Sequence, residues 1–219
     1  PIFTPELDTY IGGERTTTQM VRIRVTAPGQ YAFDFSLLDR WIDLCLSCGV
    51  EYFEMAHLFS QWGAAAAPKV VAEVEGEVRR IFGWETDALG ADYECFLSQF
   101  LPALVDFLQT KGVDQKTFFH ISYEPHGKLL ENYLACTNLV AGYIGDLPLI
   151  DAMSDYAFYE SGVMQKPIPV IYHADPFLAH NVPGLWVYYN GSTTGTYHIT
   201  GRMIAQRLCD TRALGFQLW

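Results

Sequence analysis

Short apolar segments that alternate with helical ones limit the folds open to this chain more than any other feature. Glu51–Leu58, Thr117–Ser122, Pro148–Asp151, Pro169–His173 and Leu185–Tyr189 read as strands. Helical patterns follow at about Tyr93–Lys111, Lys128–Ala141, Tyr156–Ser161, Pro176–His180 and Gly201–Arg212. Gly112 is a stop signal, and Pro102 is placed to kink or split its helix. Pro1–Thr4 and Leu214–Trp219 read as strands at the two ends, so the chain is expected to be cut from a longer protein with flanking domains missing. Strands that are apolar throughout, each followed by a helix, indicate a parallel sheet covered on both faces. No glycine-rich phosphate turn follows a strand, and Ile11-Gly12-Gly13-Glu14 does not fit one. The expected fold class is therefore α/β: a (β/α)8 TIM barrel, truncated at one or both ends, forming one partial catalytic domain over residues 1–219.

Two segments depart from the alternation. Val21–Thr26 alternates polar and apolar residues, Ala27-Pro28-Gly29-Gln30 turns, and Tyr31–Phe35 returns. This predicts a β-hairpin inserted in the first βα loop. Ser36 then opens a helix, with Asp39 completing a variant capping box. Phe59–Ala91 reads as one long functional loop, containing Gln61-Trp62-Gly63 and a four-alanine run.

Charge narrows the partners. Fourteen Lys and Arg against 25 Asp and Glu give a net charge of −11. That balance opposes binding to nucleic acid or to an anionic membrane surface, because phosphate neutralisation needs clustered cations. No apolar run approaches the roughly 18 residues of a spanning helix. Aromatic residues make up 15% of the chain, which suits a neutral, ring-shaped ligand such as a sugar. A large core with an acidic surface would give the same composition. Five unevenly spaced cysteines form no disulfide framework, and Cys45-Leu-Ser-Cys48 reads as buried structural thiols on a helix.

In barrels of this kind the reacting groups sit at the carboxyl ends of strands. Those ends carry Glu6 and Asp8, His57, Tyr123-Glu124-Pro125, Asp151 and Asp155, His173 and Asp175, Tyr188-Tyr189-Asn190, and Trp219. Glu124 is the sharpest candidate. It closes an apolar strand, and Pro125 is expected to hold it extended. A carboxyl group kept from water among aromatic rings retains its proton to higher pH, as a general acid for glycosidic cleavage must. Trp62, Trp84 and Trp186 are candidate stacking platforms, Tyr188 or Tyr189 faces the axis, and Tyr10, Glu14 and Arg15 are placed to clamp a hydroxyl. His57, His120, His173, Asp151 and Asp175 raise the question of zinc. The His-x-His that usually opens such a site is missing from the first strand, so no metal or cofactor is expected.

His120-Ile121-Ser122-Tyr123-Glu124-Pro125 resembles the His-Ile-Ser-Asp-Glu-Pro segment of the glycoside hydrolase family 123 catalytic domain, also described as domain of unknown function 4091. Tyr52–Phe59, Gln61–Ala64, Phe35-Ser36 with Asp39–Ile42, and Asp151-Ala152 with Ser154-Asp155 are similar to other family segments. The resemblance implies a TIM-barrel exo-glycosidase acting on terminal β-linked N-acetylgalactosamine. It implies that the substrate's acetamido oxygen attacks the anomeric carbon and that Glu124 transfers the proton. The family's Asp falls on Tyr123, which can donate a hydrogen bond but supplies no anion. The expected catalytic residues are Glu124, Tyr123 and Asp151. His57, Trp62, Trp84, Asp155, His173, Tyr188, Tyr189 and Trp219 are expected to bind a carbohydrate partner. Asp151, Asp155 and Glu54 are the candidates for a second carboxylate. A non-catalytic carbohydrate-binding barrel, or a glycosidase for a sugar without the acetamido group, stays open.

Overall fold

The computed structural model describes residues 18–125, 129–164, 166–190 and 207–217. The chain divides into two compact units, Pro1–Asp151 and Ala152–Trp219.

In the first unit, β1 (Arg22–Ala27) and β2 (Gln30–Asp34) form the expected hairpin, with Ile23 opposite Phe33 and Gly29 at φ +68° in the turn. It does not stand alone. The segment read as a single loop contains a second hairpin, β4 (Val70–Val74) and β5 (Glu77–Phe82), and β4 pairs parallel to β1 at Arg24 and Glu73. The result is a four-stranded mixed sheet in the order β2-β1-β4-β5. Glu75 and Gly76 both have positive φ, the geometry a two-residue hairpin turn needs. The Gln19 side-chain amide ties the parallel join by donating to the carbonyls of Val21 and Val71 and accepting the Val71 N–H.

Helix α2 (Ala91–Lys111) covers this sheet. Tyr93, Phe96, Leu97, Phe100, Leu101, Leu104 and Leu108 recur at helical spacing and are buried. Phe96 stacks on Phe100 and meets Tyr31, Phe33 and Phe82 at ring separations of 5.1–5.9 Å. Pro102 does not split the helix. It lies on the exposed side, where its missing donor costs only the bond to the Ser98 carbonyl. Gly112, at φ +71°, ends the helix in left-handed geometry. Lys111 reaches Asp39 and Asp43 of helix α1 (Ser36–Ser47), each at 2.6 Å. The expected capping box is replaced: Phe35 is the cap residue, and Asp34 accepts the Ser36 N–H. Cys45 is half-buried and Cys48 exposed, contrary to the expected buried pair, because the last turn of α1 faces outward.

The parallel strands are very short. β3 (Phe53–Glu54) pairs with β6 (Thr117–Phe118), and Phe119 bridges to Leu149. Helix α3 (Leu130–Ile144) packs on α2. In the second unit, Met153 N–H donates to Ile168 of β8 (Pro167–Ile168), and Val170 bridges to Tyr188. Ala152, the last residue of β7 (Asp151–Ala152), opens this unit. Helices α4 (Tyr156–Glu160), α5 (Asp175–Ala179) and α6 (Leu208–Gln217) complete it.

These facts overturn the (β/α)8 barrel. Among the described residues there is one four-stranded mixed sheet and two two-stranded ones, and no closed ring. Closure requires a continuous staggered ladder around every strand, whereas the longest ladders here belong to antiparallel hairpins. The expected seventh strand at Leu214–Trp219 is also overturned, since the chain stays helical through Gln217. A short apolar run does not separate helix from strand by periodicity alone. The first strand expected at Pro1–Thr4 lies outside the described residues.

Candidate active site

The first unit gathers its polar side chains where β3 and β6 run out. The two-residue period of a strand places Phe118, His120 and Ser122 on one face. His120 is buried between two carboxylates. Its Nδ1 lies 3.5 Å from Asp151 Oδ1, and its Nε2 lies 2.9 Å from Glu54 Oε1, a charge contact rather than an aligned hydrogen bond. Asp151 is fully buried. Its Oδ2 accepts the Ser122 N–H at 2.8 Å and the Tyr133 hydroxyl at 2.9 Å. Burial works against a charged His120, but Asp151 and Glu54 outweigh it and raise its pKa to about 9. The contact with His120 in turn holds the Glu54 carboxyl below its ordinary range, with burial opposing.

Above this network the backbone is strained. Glu124 has φ +50°, not the extended geometry expected before Pro125. Proline only bars its predecessor from the right-handed helical region. Tertiary contacts select the left-handed one, at a cost on the order of 1 kcal/mol or more. Trp62, Gly63 and Ala64 also have positive φ, in succession. The two segments are bonded to each other. Trp62 N–H donates to the Tyr123 carbonyl at 2.7 Å, Gly63 N–H donates to Ser122 Oγ, and that hydroxyl donates to the Ser60 carbonyl. Asn132 of α3 donates its amide to the carbonyls of Gly63 and Ala64. Only glycine fits at position 63, because an added Cβ would lie 2.2 Å from Leu129 Cδ1. Tyr93 of α2 donates to the Leu58 carbonyl at 2.6 Å, so the aromatic core grips the same strand end.

Tyr123 is half-buried, with His57 edge-on at 6.3 Å between ring centroids. Burial first, then Glu124, Asp151 and Glu54, push its phenol above the ordinary value, so it is neutral at pH 7. Burial lowers the His57 pKa, with Asp151 opposing, and its enclosed Nδ1 has no hydrogen-bond partner among the described residues.

Of the residues singled out from sequence, Glu54, His57, Trp62, His120, Tyr123, Glu124 and Asp151 meet here. Trp84 is partly exposed in the turn after β5. In the second unit, Asp155 caps α4 by accepting the Ala157 N–H, His173 is exposed beside Tyr172, Tyr188 is half-buried, and Tyr189 and Trp186 are exposed. Glu6, Asp8, Tyr10, Glu14, Arg15 and Trp219 lie outside the described residues. Sequence reading missed Ser60, Tyr133 and Asn132. The two helix residues sit in an ordinary α3 pattern that carries no chemical signal. Ser122 was visible only as a strand residue, and His120 was weighed only as a metal ligand. No cluster of three metal-ligating side chains with metal-site geometry occurs among the described residues.

The sequence profile of the glycoside hydrolase 123 catalytic domain matches residues 1–219. The chain belongs to this family. Its structure is similar to that of a family 123 glycoside hydrolase from Clostridium perfringens, studied for glycolipid glycan hydrolysis, with a TM-score of 0.55 and 18% identity. The likeness covers 73% of this chain and 28% of that one, so this glycoside hydrolase 123 chain spans well under a third of its relative. No curated protein matches it. Within the family segment, the residue before Glu124 is the departure: Tyr123 stands where an Asp is expected.

Proposed function

We propose that this domain hydrolyses the bond to a terminal β-linked N-acetylhexosamine of a glycan, N-acetylgalactosamine-like, with Glu124 as general acid and base. The substrate's acetamido oxygen bonds to the anomeric carbon as the glycosidic bond breaks, and the Glu124 proton goes to the departing oxygen. Water then attacks the anomeric carbon, gives its proton to Glu124, and opens the ring formed by the acetamido group. The observation that carries this reading is the strained Glu124 backbone, held by bonds to the Trp62 segment over a buried, charged support. Strain of this kind persists where the surroundings over-determine it, and it clusters at reacting sites. The unpaired His57 Nδ1 beside Tyr123 suits a sugar hydroxyl or amide. Exposed Trp62 offers a stacking face. The relative's glycolipid glycan supports a sugar carried on a larger conjugate as substrate.

Replacing Glu124 by Gln tests the proposal. Turnover of a glycoside with a poor leaving group should fall about 10²–10⁴-fold. Near-normal turnover would remove Glu124 from the mechanism. The neutral Tyr123 favours a second reading, a glycosidase for a sugar without the acetamido group. A panel of aryl glycosides separates the two, because only the first requires the N-acetyl group.

A further inference from the structure

Three carboxyl groups act on the Tyr123 phenol: Glu124, Asp151 and Glu54. Their surroundings divide the work among them. Asp151 has no exposed surface, and both of its oxygens are engaged, by Ser122 N–H and the Tyr133 hydroxyl on one and by His120 on the other. An anion enclosed in this way orients the strand end and does not meet a sugar. Glu124 has the proton transfer. Glu54 differs from both: its side chain is 68% exposed, yet its carboxylate contacts the buried imidazole of His120. His120 is held at its other nitrogen by Asp151, so it is anchored under Glu54.

We infer that Glu54 is the second carboxylate of this site, the anion that faces positive charge developing on the sugar, and that His120 and Asp151 position it. The inference rests on the glycosidase reading above. When the bond between the anomeric carbon and the departing oxygen breaks, its electron pair goes to that oxygen, which takes the Glu124 proton. Positive charge is left on the sugar ring or its acetamido group. Glu54 lowers the energy of that charge as a carboxylate, forming no bond and moving no proton. Tyr123 cannot do this, because its phenol stays neutral. Contact with His120 keeps Glu54 ionised into mildly acidic solution. The anion therefore comes from the end of β3 instead of from the residue before the acid.

The test uses the full chain with phenyl N-acetyl-β-galactosaminide and phenyl β-galactoside, whose departing oxygen needs the proton. Glu124→Gln is measured first, and its loss of activity establishes the glycosidase reading by itself. Glu54→Gln should then lower kcat about 10²–10³-fold with little change in KM. Glu54→Asp, which keeps the charge, should lose less. Adding Tyr123→Asp to Glu54→Gln should recover about tenfold or more of kcat on the N-acetyl substrate, because an anion returns beside the acid. If Glu54 served only to pair His120, Tyr123→Asp would recover nothing and the kcat loss would track a fall in Tm. That result overturns the inference. So do equal losses for Glu54→Gln and Glu54→Asp, or a Glu54→Gln enzyme near full rate while Glu124→Gln is dead.

Discussion

The wedge between α2 and the four-stranded sheet and the cluster at Ser122–Glu124 lie in the same unit and are built on different physics. In the wedge, Phe96, Phe100, Phe33 and Phe82 meet ring to ring, and burial of apolar area holds them. The cluster contains three ionisable groups in contact, two strained backbone segments and few rings. The wedge supplies stability that is indifferent to pH and tolerant of small shifts. The cluster supplies geometry, and it depends on charge state and on single hydrogen bonds. The Tyr93 hydroxyl joins them at the Leu58 carbonyl, so core packing sets where the strand end sits.

The largest effect should come from the wedge. Phe96 is fully buried against Tyr31, Phe33, Phe82, Tyr93 and Phe100, and Phe96→Ala should cost about 3–5 kcal/mol in denaturant unfolding. Activity per folded molecule should stay near that of the parent. A matched loss of both would erase the division between the two regions.

The cluster should respond to pH where the wedge does not. His120 has a folded pKa of about 9, above its ordinary value of 6.5. Its contribution, on the order of 3 kcal/mol, is fully present below pH 6.5 and lost as pH rises through about 9. Glu54 has a lowered folded pKa, so its contribution is present above its ordinary value of 4.5 and lost as pH falls through the folded one. Both are complete between those two ordinary values, and His57, whose pKa burial lowers, subtracts stability as pH falls below 6.5, so urea midpoints measured across pH should peak near pH 6.5. Stability that is flat from pH 6 to 10 would mean that His120 is not held as a cation.

Gly63→Ala should cost about 2 kcal/mol or more, since φ +140° and the Leu129 contact both oppose a Cβ. It should lower kcat further than stability alone accounts for, and a Tm unchanged within a degree would break the claim of strain. Smaller still, Tyr133→Phe should cost about 1.5 kcal/mol by leaving Asp151 one donor short. Thermal unfolding of this variant against Thr137→Ala, on the same helix, separates support of the carboxylate from helix packing.

Much of the cluster was legible before the structure. Glu124 and Tyr123 stood out because polar residues closed an apolar strand, His57 and Asp151 came from the same rule, and Trp62 was read as a stacking platform in the long loop. The rule concerns strand ends and not closure, so the residues it named gather without a closed barrel. The hairpin at Val70–Phe82 was missed, although alternating Val and Glu around Glu75-Gly76 are a hairpin signal. Reading Phe59–Ala91 as one loop hid it. Asp151 was read as a reacting carboxylate, and the structure buries it with both oxygens engaged.

The amino-acid order alone determined the first hairpin and the longer helices, where charge and aromatic rings accumulate, and that a neutral phenol stands beside Glu124. These depend on neighbours along the chain, within the reach of a side chain or a turn. Only the tertiary structure decided that two hairpins merge into one sheet, that Asp151 is sealed while Glu54 is open, and that His120 lies between them. Burial and charge coupling are set by residues tens of positions apart, and no local pattern encodes the distance between them.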